Sequence, residues 1–218
     1  MRNKGSLLKE LPVLVVVALV VSLLIKTFLV QFFFIPSGSM ENTLQISDRV
    51  AVNKLPFISK NISRGDVVVF RDPNNWLPEA VDYSSNKYVA KAKSALVAVG
   101  VLPNPAKQYL VKRVIGVPGD HIVCCTKDEK LSINGAEVTE PYIFAGNKPS
   151  DMKFDVTVPA GKVWVMGDHR GASADSRYHQ EDINKGFVPL SKVTGRVVAV
   201  IWPFKNITYV PKVDVLKK

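Results

Sequence analysis

The chain has 218 residues, 47% hydrophobic and 22% charged, which is enough to bury one sizeable domain or two small ones and too apolar for a disordered chain. Lysine and arginine total 29 against 19 acidic residues, a net charge of +10, but they are spread thinly and form no basic stripe interleaved with aromatics; the surplus suits an anionic lipid surface better than nucleic acid. The only cysteines, Cys124 and Cys125, are adjacent, and with three scattered histidines they supply neither a disulfide framework nor zinc-ligand spacing, so no metal and no cofactor is expected.

The first ten residues carry Arg2, Lys4 and Lys9 against one acid. Leu11 to Ile25 is then uncharged. At about 1.5 Å per residue it reaches roughly 22 Å, short of the roughly 30 Å hydrocarbon core. Lys26 interrupts, yet a lysine near a helix end can snorkel to the headgroups, and apolar residues resume at Phe28. The stretch reads as one amino-terminal transmembrane helix, an anchor over residues 11–31, with residues 1–10 as a cytoplasmic tail and 32–218 on the outer face. A cleavable secretory signal is the rival, but no small-x-small site stands just after Ile25, and the first candidate, Ser37-x-Ser39, is too far from the apolar core.

Pro36-Ser37-Gly38-Ser39-Met40 stands where the apolar segment gives way to strands. It is a linker in the plainest reading, and a nucleophile-bearing turn if a base lies near. Strand patterns follow at 48–54 and at Val67-Val68-Val69-Phe70. Residues 76–107 break the pattern and read as an insertion with one short helix. Strands resume at 109–116 and 121–125, with Cys124 and Cys125 as a half-buried strand pair ahead of the lesser reading, a redox-sensitive vicinal pair. Asn134-Gly135 marks a hairpin, and further strands lie at 156–159, 162–166 and 193–202. Many short strands with turn signals imply a mainly β, antiparallel domain.

Lys112 stands out because Leu110, Val111, Val114 and Ile115 flank it. Burial lowers an ammonium's pKa and makes lysine a usable base; the plainer reading is an edge-strand lysine facing water. Arg113 falls on the opposite face by strand alternation and is structural. The loop 167–177 is dense in acids, arginines and hydroxyls, as suits a site locked by ion pairs or an ordinary solvated turn. Neither a Gly-x-Ser-x-Gly elbow nor a recognisable Ser-His-Asp triad is present, so a hydroxyl with lysine as its base is the better pairing.

Four blocks in order, Pro36-Ser37-Gly38-Ser39-Met40, 64–70 (RGDVVVF), 112–120 (KRVIGVPGD) and Gly167-Asp168-x-Arg170 with Ser173-x-Asp175-Ser176-Arg177, resemble bacterial type I signal peptidases over nearly the whole chain. The resemblance implies two antiparallel β-sheet regions of the signal-peptidase type, the larger an elaboration of the smaller catalytic one. It implies a Ser–Lys serine endopeptidase that cuts signal peptides from exported preproteins after Ala-x-Ala-like motifs, at the outer face of the cytoplasmic membrane. Its partners would be those signal peptides, membrane lipids and the secretion translocon. Ser39 matches the nucleophile, Lys112 the general base, Ser37 an oxyanion donor along with the Ser39 N–H, and Ser173 the residue that hydrogen-bonds and aims the lysine. Ile35, Pro36, Met40, Leu44 and Val111 match the substrate pockets; Arg113 is read as structural support alongside Asp168, Arg170, Asp175 and Arg177, which match the ionic scaffold. Asn42 stands where many members have proline, and His169, Gly171 and Ala172 where many have Asn, Asp and Asn; these changes bear on loop rigidity. The alternatives are a soluble self-cleaving repressor-type protease, disfavoured by the apolar anchor, and a non-enzymatic anchored β-domain that binds lipid or partner proteins.

Overall fold

The computed structural model describes residues 10–21, 29–55, 62–78 and 108–213. Its β-branched and aromatic runs become strands β1 (Val30–Phe34), β2 (Arg49–Asn53), β3 (Val67–Arg71), β4 (Tyr109–Gly116), β5 (His121–Cys124), β6 (Leu131–Ile133), β7 (Ala136–Glu137), β8 (Phe154–Thr157), β9 (Lys162–Met166), β10 (Val188–Pro189), β11 (Val193–Trp202) and β12 (Thr208–Tyr209). The larger sheet runs β1-β2-β11-β3-β4-β9-β10, with β12 on β11, and the smaller runs β7-β6-β5-β8; every pairing is antiparallel.

Strand β3 is buried along Val67–Phe70 because β11 and β4 flank it and each face meets a core. Val67 and Val69 pack with Ile35, Met40 and Leu44, while Val68 and Phe70 pack with Trp76, Leu110 and Val114. A third cluster, including Ile115, Ile122, Ile133 and Trp164, joins the two sheets. The smaller sheet is formed by the chain between β4 and β9, and Lys112 lies on the larger one. This corrects the expectation that the smaller region is catalytic.

Three further expectations change. Val30 and Gln31 are strand residues paired with Asn53 and Val52, so an anchor cannot extend to residue 31. The helix described before them covers residues 10–21, roughly 18 Å at about 1.5 Å per residue. Among the described residues no helix is long and apolar enough to cross a membrane. Trp76 is core rather than insertion: it is buried, meets Phe70 edge-on with ring centroids 6.0 Å apart, and donates from Nε1 to Asp182 Oδ2 at 2.9 Å. The expected short helix of the insertion lies outside the described residues. Cys124 and Cys125 are joined by a disulfide instead of forming a plain strand pair.

Candidate active site

Strand β4 holds an interior place, with β3 on one side and β9 on the other, so Lys112 (opposite Val68) is a central-strand lysine and only 4% exposed. Burial among apolar strands is the largest cause that brings its amine down to a net value of about 8, with Arg177 also lowering it and Asp175 and Asp168 opposing.

Ser39 comes from the turn after β1. Glu41 N–H donates to Gly38 O at 3.0 Å, and the N–H groups of Thr43 and Leu44 both donate to Met40 O, at 3.0 and 2.8 Å. The turn is stitched to the distant loops. His169 N–H donates to Ser39 O at 3.2 Å, and Asn42 Nδ2 donates to Tyr142 O at 3.1 Å. Asn42 has φ +87°, a region asparagine tolerates and proline cannot enter, so the departure at this position carries a different turn with its own tether. The result is direct contact: Lys112 Nζ donates to Ser39 Oγ at 2.5 Å, with both residues buried.

The loop behind the pair is an ionic lattice. Asp175 Oδ2 accepts from Gly167 N–H at 3.0 Å, from Ser173 Oγ at 2.7 Å and from Arg177 Nη2 at 2.9 Å, while Oδ1 takes Arg177 Nε at 2.8 Å. Asp168 receives Arg113 bidentately, from Nε at 2.8 Å and Nη2 at 2.6 Å, and also the Thr43 hydroxyl. Arg113 Nη1 reaches Gly65 O at 2.7 Å, and its guanidinium lies 4.0 Å over the Tyr142 ring. Arg170 grips Glu140 through Nη2 at 2.6 Å and the Pro149 carbonyl through Nη1 at 2.6 Å. Each buried charge therefore has a partner and further hydrogen bonds, the condition for tolerating ions in a core.

The geometry brings Ser39, Lys112 and Ser173 to one place, and sets Asp168, Arg170, Asp175, Arg177 and Arg113 around them. Ser173 differs in partner: its hydroxyl donates to Asp175, not to the lysine. It reaches the site by packing. A Cβ on Gly167 would lie 2.3 Å from Ser173 Oγ and 2.4 Å from Ser39 O, so only glycine lets these groups close in. Among the pocket residues, Pro36 is exposed and Val111 half-buried, whereas Ile35, Met40 and Leu44 lie in the core beneath the turn. Ser37 is exposed.

Sequence reasoning missed Gly167 as a packing requirement, Thr43 as a partner of Asp168, Glu140 as the counterion of Arg170, and the contact between His169 Nδ1 and Glu41 Oε2 at 2.9 Å. Only Gly167 carried a usable signal, as a glycine joining strand β9 to the charged loop.

The family profile described as "Signal peptidase, peptidase S26" matches residues 8–202. The chain is 39% identical to "Signal peptidase I" of Mycobacterium tuberculosis (strain H37Rv), over 92% of this chain and 74% of that protein. It is 37% identical to "Probable signal peptidase I" of Mycobacterium leprae, over 92% and 78%. Against "Signal peptidase I P" of Bacillus subtilis subsp. natto it is 31% identical over 94% of both. With the profile spanning both the Ser39 turn and the Lys112 strand, the chain belongs to the signal peptidase family, peptidase S26.

Proposed function

We propose that this protein is a membrane-tethered serine endopeptidase that removes signal peptides from exported preproteins, with Ser39 as nucleophile and Lys112 as general base. The observation that carries this reading is the buried 2.5 Å contact between Ser39 Oγ and an amine lowered to about 8. When that amine is uncharged, the hydroxyl donates to its lone pair. Lys112 then takes the proton as Oγ attacks the scissile carbonyl. The oxyanion forms beside the Ser39 N–H and the Ser37 hydroxyl, and its collapse expels the new amino terminus, which leaves with the lysine's proton. Water, deprotonated by the same amine, then releases the acyl group and restores the serine. Pro36 and Val111 offer surface to the peptide, and Ile35, Met40 and Leu44 back them as a stiff apolar floor that favours small side chains.

Membrane attachment is supported by the apolar helix over residues 10–21, whose side chains are exposed, and by an aromatic face on the larger sheet. Phe32 pairs opposite Ala51, Ala51 opposite Ala199, and Ala199 opposite Tyr209; Phe34 and Trp202 both pair with Arg49. Phe32, Phe34, Trp202 and Tyr209 are exposed along these rows, the first two on β1, which leads directly to Ser39. Facing a bilayer, they would set the nucleophile close to the headgroups, where a lipid-borne preprotein, handed on by the translocon, presents its cut site.

The full chain in detergent should cut a preprotein after a small-x-small motif, and Ser39→Ala or Lys112→Met should abolish cutting while circular dichroism shows the β fold intact. Full activity in either variant overturns that residue's assignment.

A further inference from the structure

Glu41 folds back over the backbone it follows: an ideal Cβ on Gly38 would lie 2.8 Å from Glu41 Cδ and 2.9 Å from Oε2. That places a carboxylate against the Ser37–Ser39 segment, whose Ser39 N–H and Ser37 hydroxyl are the oxyanion donors in the reading above. A carboxylate there is a hazard, because it resembles the developing oxyanion and would accept the same two hydrogen bonds. His169 meets it. Nδ1 lies 2.9 Å from Glu41 Oε2, the ring stacks on Phe144 with centroids 4.2 Å apart and planes 19° apart, and the His169 N–H also holds Ser39 O at 3.2 Å. The imidazole is thus fixed by stacking on one side and by the nucleophile turn on the other.

We propose that His169 is a positioning residue that detains the Glu41 carboxylate and so keeps the oxyanion donors free for substrate. The inference rests on the peptidase reading and deepens it. Its signature is a charge-dependent rescue that a purely structural role would not produce.

The test is a four-protein cycle on the full chain in detergent, with preprotein cleavage as the readout: wild type, His169→Phe, Glu41→Gln and the double variant. His169→Phe keeps the stack on Phe144 and the backbone N–H but loses Nδ1. Its turnover number should fall about tenfold with KM within about twofold, less than the roughly 10²–10³ lost when an oxyanion donor is deleted. Glu41→Gln alone should stay within about twofold, and the double variant should return to that level because no anion remains to compete. A double variant no faster than His169→Phe overturns the proposal, as does an equal loss in Glu41→Gln. If His169→Phe melts well below wild type, His169→Gln takes its place; it keeps a side-chain donor for Glu41 and must keep its turnover, and loss of turnover there overturns the proposal. An inactive wild type defeats the peptidase reading itself, whereas an active wild type without rescue defeats only this one.

Discussion

Lys112 is placed where a charged amine is least welcome, and that makes it useful. Its amine at about 8 lies below the ordinary lysine value of 10.5, so kcat/KM should climb tenfold per pH unit below about 8 and level off above it. A flat profile from pH 6 to 9 would remove lysine as the base. The same shift costs stability. The folded state holds the amine less readily protonated than the unfolded chain does, so between about 8 and 10.5 the unfolded state binds more protons and this group's contribution to stability grows as pH rises. At neutral pH both states are protonated and the fold carries the whole cost of a buried ammonium. Lys112→Met should therefore be inactive yet more stable by about 2–3 kcal/mol at pH 7, read from denaturant midpoints. Gly167→Ala tests the opposite kind of demand, for space. Its methyl would collide with the Ser39 carbonyl and the Ser173 hydroxyl, and a shift of about 1 Å in the nucleophile is enough to cost about 100-fold in turnover. Retained activity in that variant would mean the turn has slack that the packing denies.

At the scale of elements, what could be read in the sequence depended on whether a residue's partner was close in the chain. Strand β4 was readable because Leu110, Val111, Val114 and Ile115 announce its burial, and the loop after β9 was readable from its density of charge. Strand β1 was not. Its inward residue Phe33 alternates with Phe32 and Phe34, which are also aromatic though they face out, so the period of two was hidden inside what looked like the end of an anchor. Glu140 was invisible for a different reason: its partner Arg170 lies on another loop, and nothing in the local pattern of either announces the meeting. The core tryptophan Trp76 was assigned to an insertion because the strand pattern breaks there, whereas the Asp72 carboxylate organises that turn by accepting from Asn74, Trp76 and Leu77. Beyond it the chain closes on itself. Gln108 Nε2 donates to Pro78 O at 2.7 Å and Asp72 N–H to Gln108 O at 3.0 Å, so Pro78 and Gln108, on either side of 79–107 in the sequence, lie together. Replacing residues 79–107 with a short Gly-Ser linker should leave stability within about 1 kcal/mol, since loop-closure entropy changes slowly with length. A collapse of the melting transition would show that the segment contributes to the core.

At the scale of the whole molecule, the aromatic face and the Ser39 turn share strand β1, which in the proposed reading couples where the protein rests on lipid to where it cuts. Changing Phe34 and Trp202 to serine removes two exposed aromatic rings from that face. Cleavage of a preprotein held in anionic vesicles should then fall about tenfold or more relative to cleavage of a soluble peptide, given about 1.5–3 kcal/mol for burying one such side chain. An equal fall on both substrates would point to damage at the site instead of lost contact with lipid. The order of the active-site groups along the chain has a consequence in time. Ser39 leaves the ribosome early, Lys112 much later, and the Asp175–Arg177 clasp later still. At about 5–20 residues per second, several seconds or more separate the hydroxyl from the last part of its surroundings. Until Lys112 follows, the growing polypeptide carries a serine with no proton acceptor, and the site stays unfinished until residues 175–177 have joined it.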